Sequence, residues 1–334
     1  MTTLTDGPQA VDRLECRTIP PARPVSSLEE DALEGLVHSR PRSLPPKYFY
    51  DARGSDLFDR ICDTPEYYPT RVEDALLRRH AAHIVDKVHP FHIVELGAGT
   101  SRKTRRLFDA CAAAGCRSVY APFDVCREVM LEHGQGLVAD YDWLTVNALV
   151  GDYHAGLDHL PAFAETTLYV FLGGTIGNFS HDEAVAFLTE LAARMKPADR
   201  LLLGADRFKD PARLHAAYND AAGVTAAFNL NLLEVLNREL EADFDPTAFA
   251  HHACFNPFKR RIEMYLASLR RQRVRLGCLN HVMDLDEGEA ILTEISRKFT
   301  YPALVALLEE SGLEVLAPYE ADGGDYSLIL AGRG

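Results

Sequence analysis

The feature that most constrains the fold is a repeated order of apolar strand and amphipathic helix between residues 91 and 206. Short apolar runs of strand length alternate there with helical patterns of about 10 to 15 residues. The predicted strands are residues 91–97, 118–125, 144–153, 166–174 and 199–206. Because these runs carry few polar positions, both faces of the resulting sheet must be covered by helices. The pattern therefore predicts an α/β fold with a parallel sheet.

A different pattern begins after residue 208. Residues 211–240 have helical periodicity, and residues 260–269 and 272–285 alternate in the manner of antiparallel strands with one solvated face. We therefore expect a second, smaller domain. The C-terminal segment 301–333 has the pattern of a helix, a strand, a turn and a strand, and we expect it to return to the first sheet as an antiparallel pair.

Composition excludes some classes of function. The formal net charge of −14 at pH 7 would repel a phosphate backbone, so no nucleic-acid partner is expected. Residues 1–25 are polar and proline-containing, which predicts a flexible leader. Neither a signal-like apolar run nor a run near the roughly 20 residues of a membrane span is present, so we expect a cytoplasmic protein without membrane contact. The seven cysteines lack metal-site spacing, which predicts reduced thiols and no metal centre.

The first glycine loop, VELGAGTSRKT at residues 94–104, suggests a ligand site. Arg102 occupies the place where a dinucleotide fingerprint has its third glycine, and the loop lacks the lysine position of a phosphate-binding P-loop. Asp124 and Asp152 end the next two predicted strands, where carboxylates can accept hydrogen bonds from a nucleoside. A bare GxG is often only a turn, and an Asp at a strand end is often only a helix cap. Together they favour S-adenosylmethionine over NAD.

Longer motifs make the family specific. They include PPKYFYDARGSDLFDRI, TPEYYPTR, FLGGTIGNF, AAYNDAAGVTAAFN, RELEADF, RIEMYL and LTEISRKF. From about residue 40 to the C-terminus the chain resembles the S-adenosylmethionine-dependent histidine Nα-methyltransferases of ergothioneine biosynthesis. The resemblance implies three successive methyl transfers to the α-amino group of free L-histidine, giving hercynine, with S-adenosylhomocysteine as the second product.

The resemblance also implies a domain organisation. A Rossmann-like class I methyltransferase domain would comprise residues 72–208 plus 298–334. A smaller mixed α/β substrate-binding domain would comprise residues 26–71 plus 209–297. The expected partner is a small-molecule amino acid, and the expected state is a monomer.

Individual residues acquire roles from the same resemblance. The cofactor is expected to be held by Tyr67, Gly97, Gly99, Lys103, Asp124, Asp152 and Tyr153. A second set is expected to hold the substrate: Asn178 and Tyr218 its amino-acid backbone, and Glu294 and Ser296 its imidazole, with Met264 beside them. Tyr50 and Phe58 are expected to help form the wall of its pocket. Within the second set, Asn178 and Tyr50 are the candidate catalytic residues, because an amide or a phenol can hold the reacting amine without carrying charge. No metal is implied.

The chemistry makes these roles physically reasonable. Methyl transfer from a sulfonium is a displacement at carbon, so the protein must chiefly align a neutral amine with the methyl group. Glu294 and Ser296 are two residues apart in LTEIS, so on a strand they share one face. A carboxylate and a hydroxyl can satisfy both ring nitrogens of an imidazole, and an unpaired partner is costly to bury. The pair therefore favours histidine over a tryptophan-type substrate, the nearest alternative within this fold.

Other readings stay open at this point. A NAD-dependent oxidoreductase is disfavoured by Arg102 and by the lack of an assignable hydride site, and a non-catalytic amino-acid sensor would keep the same residues. By composition alone, the aromatic candidates and Met264 are more often core residues, and Asn178 after a glycine is more often a turn residue.

Overall fold

The computed structural model describes residues 13–334 and contains one large and two small sheets. In chain order the strands are β1 (Leu14–Thr18), β2 (Arg42–Ser43), β3 (His92–Leu96), β4 (Val119–Asp124), β5 (Thr145–Val150), β6 (Thr167–Phe171), β7 (Arg200–Asp206), β8 (Phe249–Asn256), β9 (Arg261–Ser268), β10 (Gln272–Leu276), β11 (His281–Leu285), β12 (Ala290–Arg297), β13 (Leu313–Glu320) and β14 (Tyr326–Arg333).

Helices cover the sheets and connect their strands. They are α1 (Leu28–Ala32), α2 (Ala52–Cys62), α3 (Tyr68–Val88), α4 (Arg105–Ala113), α5 (Arg127–Asp140), α6 (Tyr153–Gly156), α7 (His181–Arg194), α8 (Pro211–Ala217), α9 (Val224–Glu239) and α10 (Tyr301–Glu310). Short helical turns occur at Leu33–His38, Pro46–Phe49, Leu157–His159, Thr175–Asn178 and Pro246–Ala248. No helix among residues 13–334 combines the length and the apolar run that crossing a bilayer requires.

The large sheet has eight strands in the order β1-β5-β4-β3-β6-β7-β14-β13. Its first six strands are parallel, and β14 and β13 close the sheet as an antiparallel pair next to β7. This confirms the five predicted parallel strands and the return of the C-terminal hairpin. Because β3 lies between β4 and β6, the strand order reverses beside the glycine loop, which is where open α/β sheets bind ligands.

The predicted flexible leader is wrong for residues 14–18. These residues form β1, which pairs in parallel with β5 from Leu14 opposite Val146 to Thr18 opposite Val150. The reason is the polar backbone edge of β5, which would otherwise lack hydrogen-bond partners on one side. Residues 1–12 of the predicted leader lie outside the described residues.

The smaller sheet has the order β2-β12-β9-β8. The prediction of a strand over residues 260–269 is confirmed by β9, but residues 272–285 form two strands rather than one. They fold back as the β10–β11 hairpin, with Gly277 and Asn280 in the turn. The backbone of Asn280 has a left-handed φ of 48°. Such a φ value is typical of tight turns and favours glycine and asparagine.

Buried apolar side chains form three clusters. Two cover opposite faces of the large sheet, since consecutive residues of one strand, such as Leu201 and Leu202, belong to different clusters. The third draws its members from residues 32–68 and 214–291. We keep the division into a methyltransferase domain and a substrate-binding domain as a proposal, and this separation of apolar cores supports it.

Candidate active site

A cavity of about 580 Å³ lies at the carboxyl ends of the parallel strands. This volume falls within the range of roughly 300–1,000 Å³ that is common for small-molecule sites. Its wall includes most of the site residues predicted from the sequence, namely Tyr50, Phe58, Tyr67, Gly97, Gly99, Lys103, Asp124, Asp152, Tyr153 and Asn178. The structure therefore brings both catalytic candidates and all the cofactor candidates to one place.

The glycine loop after β3 presents bare backbone to this cavity. Gly97 and Gly99 have φ values of 70° and 49°, which residues with a side chain rarely adopt. A Cβ atom at Gly97 would lie 3.5 Å from the Tyr153 ring, whereas a Cβ at Gly99 would meet no atom within 4 Å. The loop thus leaves room for a ligand to approach its backbone closely.

Two carboxylates follow the next two strands, as the sequence predicted. Asp124 accepts hydrogen bonds from the backbone N–H groups of Gly99, at 3.0 Å, and Cys126, at 3.2 Å. Asp152 caps α6 through the backbone N–H of His154, at 2.8 Å. A carboxylate has about four acceptor sites, so both side chains keep capacity for ligand hydroxyl or amino groups. The fit to a nucleoside is therefore good.

Lys103 lines the cavity, but its charge is already matched within the protein. It forms an ion pair with Glu73, a fully buried residue of α3. Burial alone would lower the pKa of Lys103, yet the Glu73 carboxylate outweighs burial and raises it. Glu73 also accepts hydrogen bonds from the Gly173 N–H, at 3.0 Å, and the Tyr326 hydroxyl, at 2.7 Å. A direct contact between Lys103 and the cofactor stays a prediction.

Several polar groups in the cavity wall have no protein partner. Within residues 13–334, neither the hydroxyls of Tyr50 and Tyr67 nor the amide of Asn178 forms a hydrogen bond. Because these groups lie in the wall of the cavity, they are available to a ligand. Burial, with a smaller contribution from the Glu294 carboxylate, raises the pKa of Tyr50 well above its ordinary value, so its phenol stays protonated.

The remaining substrate candidates lie behind the cavity wall. Tyr218, Met264, Glu294 and Ser296 do not line the cavity itself. The ring of Tyr218 lies 6.2 Å from that of Tyr67, which does line it. The Tyr218 hydroxyl donates a hydrogen bond to Ser296 Oγ at 2.8 Å. These candidates therefore form a second group in contact with the first.

Glu294 and Ser296 occupy β12, as predicted. The register of β12 with β9 shifts between Leu292 and Glu294, and Glu294 then pairs with the buried Met264. Burial raises the pKa of Glu294 to about 7, against the opposing effect of Lys298. In the part of the chain that the structure describes, the Glu294 carboxyl accepts no hydrogen bond.

Sequence reasoning missed a buried cluster of charges beside this second group. Asp206, at the end of β7, accepts hydrogen bonds from Tyr68, at 2.7 Å, and Lys298, at 2.8 Å, and also from Lys209. Burial would raise the pKa of Asp206, but the two lysines lower it. A signal was available, because Lys298 lies two residues beyond Ser296 and so continues the strand alternation of Glu294 and Ser296.

The parallel sheet, its glycine loop and the two strand-end carboxylates are typical of a Rossmann-like, S-adenosylmethionine-dependent methyltransferase. Comparison with known families narrows this class. The family model described as "Histidine-specific methyltransferase, SAM-dependent" matches residues 28–333, and the chain belongs to that family.

Known relatives agree with this assignment. The histidine N-alpha-methyltransferase of Mycobacterium tuberculosis is 46% identical over 307 residues, which cover 92% of this chain and 95% of that protein. The protein of the same name from Mycolicibacterium smegmatis has the same identity and coverage. Ergothioneine biosynthesis protein 1 of Neurospora crassa is 37% identical over 201 residues, which cover 59% of this chain and 23% of that protein.

Proposed function

We propose that this chain transfers methyl groups from S-adenosylmethionine to the α-amino group of L-histidine, three in succession, to give hercynine in ergothioneine biosynthesis. Membership of the family and the names of the two mycobacterial relatives support the substrate. The structural observation that carries the proposal is the pairing of an unbonded carboxyl, Glu294, with the hydroxyls of Ser296 and Tyr218 beside the cofactor cavity.

The cofactor end of the site suits an adenosine group. Gly97 and Gly99 offer bare backbone, and Asp124 and Asp152 offer acceptors for ribose hydroxyls and an adenine amino group. Tyr153 lies against the loop, with its ring 3.5 Å from the position of a Gly97 Cβ. When bound, S-adenosylmethionine supplies an electrophilic methyl group on its sulfonium.

The reacting amine is held by Tyr50 and Asn178 in this proposal. Both line the cavity, and neither side chain forms a hydrogen bond to another described residue. Because the Tyr50 phenol stays protonated, it orients the amine and does not act as a base. Before each transfer the α-ammonium group loses one proton to solvent. The neutral amine then forms a bond to the methyl carbon as the carbon–sulfur bond breaks, and the third transfer leaves a quaternary ammonium without an N–H. Alignment is therefore the main contribution of the protein.

The ring of the amino acid is selected by Glu294 and the two hydroxyls. A neutral imidazole has one N–H donor and one acceptor nitrogen, so Glu294 can accept from the first and a hydroxyl can donate to the second. An indole ring has a donor but no acceptor, so the hydroxyl proton would lose its partner in a complex with tryptophan. A polar group left unpaired on binding costs about 1–3 kcal/mol, which is enough for strong discrimination.

A direct test is the mass of the products. The protein is incubated with S-adenosylmethionine and, separately, with histidine, tryptophan or tyrosine, and mass gains of one, two and three methyl groups are followed. We expect trimethylated histidine and little product from the other two amino acids. No product from histidine would overturn the proposal, whereas accumulation of a monomethyl product would overturn trimethylation alone.

The acidic charge and the cysteine usage also support a monomeric, cytoplasmic enzyme, which we include in the proposal. Light scattering of the purified chain tests the monomer, and localisation of a tagged chain in its source cells tests the compartment.

A further inference from the structure

We propose that Lys298 is a positioning residue that forces the hydroxyl pair, Tyr218 and Ser296, to present one proton to the bound imidazole. This inference rests on the proposed function, because it concerns how the same site recognises histidine. Lys298 does not line the cavity; it contacts the two hydroxyls directly and acts on the Glu294 carboxyl only through its charge.

The hydrogen bonds of Lys298 leave it no free donor. Its buried ammonium lies 2.8 Å from Asp206 Oδ2, 3.0 Å from the Tyr218 hydroxyl and 2.9 Å from Ser296 Oγ. An ammonium has three N–H donors and no acceptor, so all three are used and both hydroxyl oxygens must accept. Reversal of either bond is chemically impossible while Lys298 is charged.

The charge of Lys298 is secure. Burial would lower its pKa, but the Asp206 carboxylate and the Tyr218 hydroxyl outweigh burial and raise it. Asp206 is in turn held by Tyr68 and Lys209. The ammonium is thus fixed in position by an anion at the end of β7, in the large sheet, while it donates to side chains of the smaller domain.

The number of protons on the two hydroxyls decides whether the pair acts as a donor or as an acceptor toward a ligand. The pair has two O–H protons, and one of them forms the 2.8 Å bond between Tyr218 and Ser296. Among the described residues no other acceptor takes a hydrogen bond from either hydroxyl. Because Tyr218 donates in that bond, the Ser296 proton remains and is available to a ligand.

Glu294 provides the opposite polarity on the same strand face. Its carboxyl is free of protein hydrogen bonds within residues 13–334, so when ionised it can only accept. One donor and one acceptor match a neutral imidazole and mismatch the imidazolium ion, which has two donors. Lys298 thereby sets the ring state that the site selects.

The test compares Lys298→Met with Lys209→Met. Each removes one buried ammonium from the same Asp206 carboxylate, but only Lys298 touches the hydroxyl pair. For Lys298→Met we expect the KM for histidine and its dissociation constant in the presence of S-adenosylhomocysteine to rise about 10-fold or more, because the hydroxyls lose their fixed direction. The dissociation constant of S-adenosylhomocysteine itself should change less than about twofold. Lys209→Met should leave histidine binding within about threefold of wild type.

A double-mutant cycle separates positioning from a general structural role. In a Tyr218→Phe, Ser296→Ala background, Lys298→Met should raise the dissociation constant of histidine by less than about twofold, since there is no hydroxyl left to direct. An undiminished 10-fold loss in that background overturns the inference, and so do equal effects of Lys298→Met and Lys209→Met. If the wild-type chain methylates histidine, these results concern the inference alone, whereas a wild-type chain inactive on histidine overturns the proposed function with it.

Discussion

Replacing Glu294 by glutamine should stabilise the free protein at alkaline pH while it weakens histidine binding. Burial raises the pKa of the Glu294 carboxyl from 4.5 to about 7, and the carboxyl has no hydrogen-bond partner among residues 13–334. A carboxyl whose pKa is raised by folding contributes stability below its unfolded pKa. That contribution is lost as the pH rises through the folded pKa, here between about 4.5 and 7. Glutamine is neutral throughout and escapes the loss.

The magnitude follows from the pKa shift. A rise from 4.5 to about 7 corresponds to about 3 kcal/mol at roughly 1.4 kcal/mol per pH unit. Glu294 is half-buried rather than fully buried, so solvent reduces this figure. We expect Glu294→Gln to raise the free energy of unfolding by about 1–2 kcal/mol at pH 8 and by nearly nothing at pH 4.5. The titratable groups that interact with the Glu294 carboxyl are Tyr50, Tyr67, Tyr218 and Lys298. The Glu294→Gln variant keeps all four.

In the proposed complex with histidine, the same substitution removes the charged acceptor of the imidazole N–H. Hydrogen bonds to charged groups contribute about 1.5–3 kcal/mol, so the dissociation constant of histidine should rise about 10- to 100-fold. The affinity for S-adenosylhomocysteine should not change, because Glu294 lies behind the cavity wall. Urea unfolding at pH 4.5 and 8 measures the first effect, and calorimetric titration with histidine in the presence of S-adenosylhomocysteine measures the second.

Glu314→Gln is the matched control, since Glu314 is exposed on β13 and should show neither effect. A Glu294→Gln variant less stable than wild type at pH 8 would refute the description of Glu294 as a desolvated, unpaired carboxyl. Unchanged histidine affinity would refute its role in ring recognition, whatever the stability result.

Three other predictions concern the cofactor end of the site. Gly99→Ala and Gly288→Ala each place a side chain at positive φ with no atom within 4 Å, so each should lower the free energy of unfolding by about 1–2 kcal/mol. Only Gly99→Ala should also weaken S-adenosylhomocysteine binding, by about 10-fold. Glu73→Gln should lower the free energy of unfolding by about 3–5 kcal/mol, because its buried lysine partner loses its counter-charge. Asp124→Asn should weaken S-adenosylhomocysteine about 10- to 100-fold by calorimetry, whereas Asp158→Asn, on the exposed surface, should not.

The parallel strands β3 to β7 of the large sheet were predictable because they are apolar runs separated by helices. The strands after residue 260 were less predictable. The turn between β10 and β11, for example, depends on one glycine, Gly277, and on the left-handed backbone of Asn280. Strand β1 was missed because its pattern is short and follows a polar segment. Its position depends on the unpaired edge of β5, which a local pattern does not reveal.

The site residues also divide into those that local sequence patterns predicted and those that they did not. Gly97, Gly99, Asp124 and Asp152 were visible because each follows a predicted strand, and a parallel sheet brings the ends of its strands together. Their meeting with Tyr50 and Asn178 came from the family resemblance, because nothing in local periodicity brings the chain before α2 to the end of β6.

Glu73 and Lys298 were missed for a common physical reason. Both are charged residues on faces that local patterns assign to the core or to solvent, and each is stabilised by a partner distant in sequence, Lys103 for Glu73 and Asp206 for Lys298. A local sequence pattern contains only one member of such an ion pair, because its partner lies far away in the chain. A charge that interrupts an apolar face is nevertheless a usable signal, since burial without a partner is too costly to persist.

The position of the Asp206–Lys298 pair explains how one chain can combine a common reaction with a narrow substrate. Asp206 ends β7, which lies beside β6 in the large sheet, and Lys298 follows β12, whose face carries Glu294 and Ser296. The ion pair therefore fixes the proposed ring-recognition face relative to the large sheet, whose other strand ends carry the cofactor candidates. Because methyl transfer depends on alignment, a small displacement of that face would move the amine away from its line of attack. In this proposal, rigid attachment of the recognition face through buried charges serves the reaction as well as its specificity.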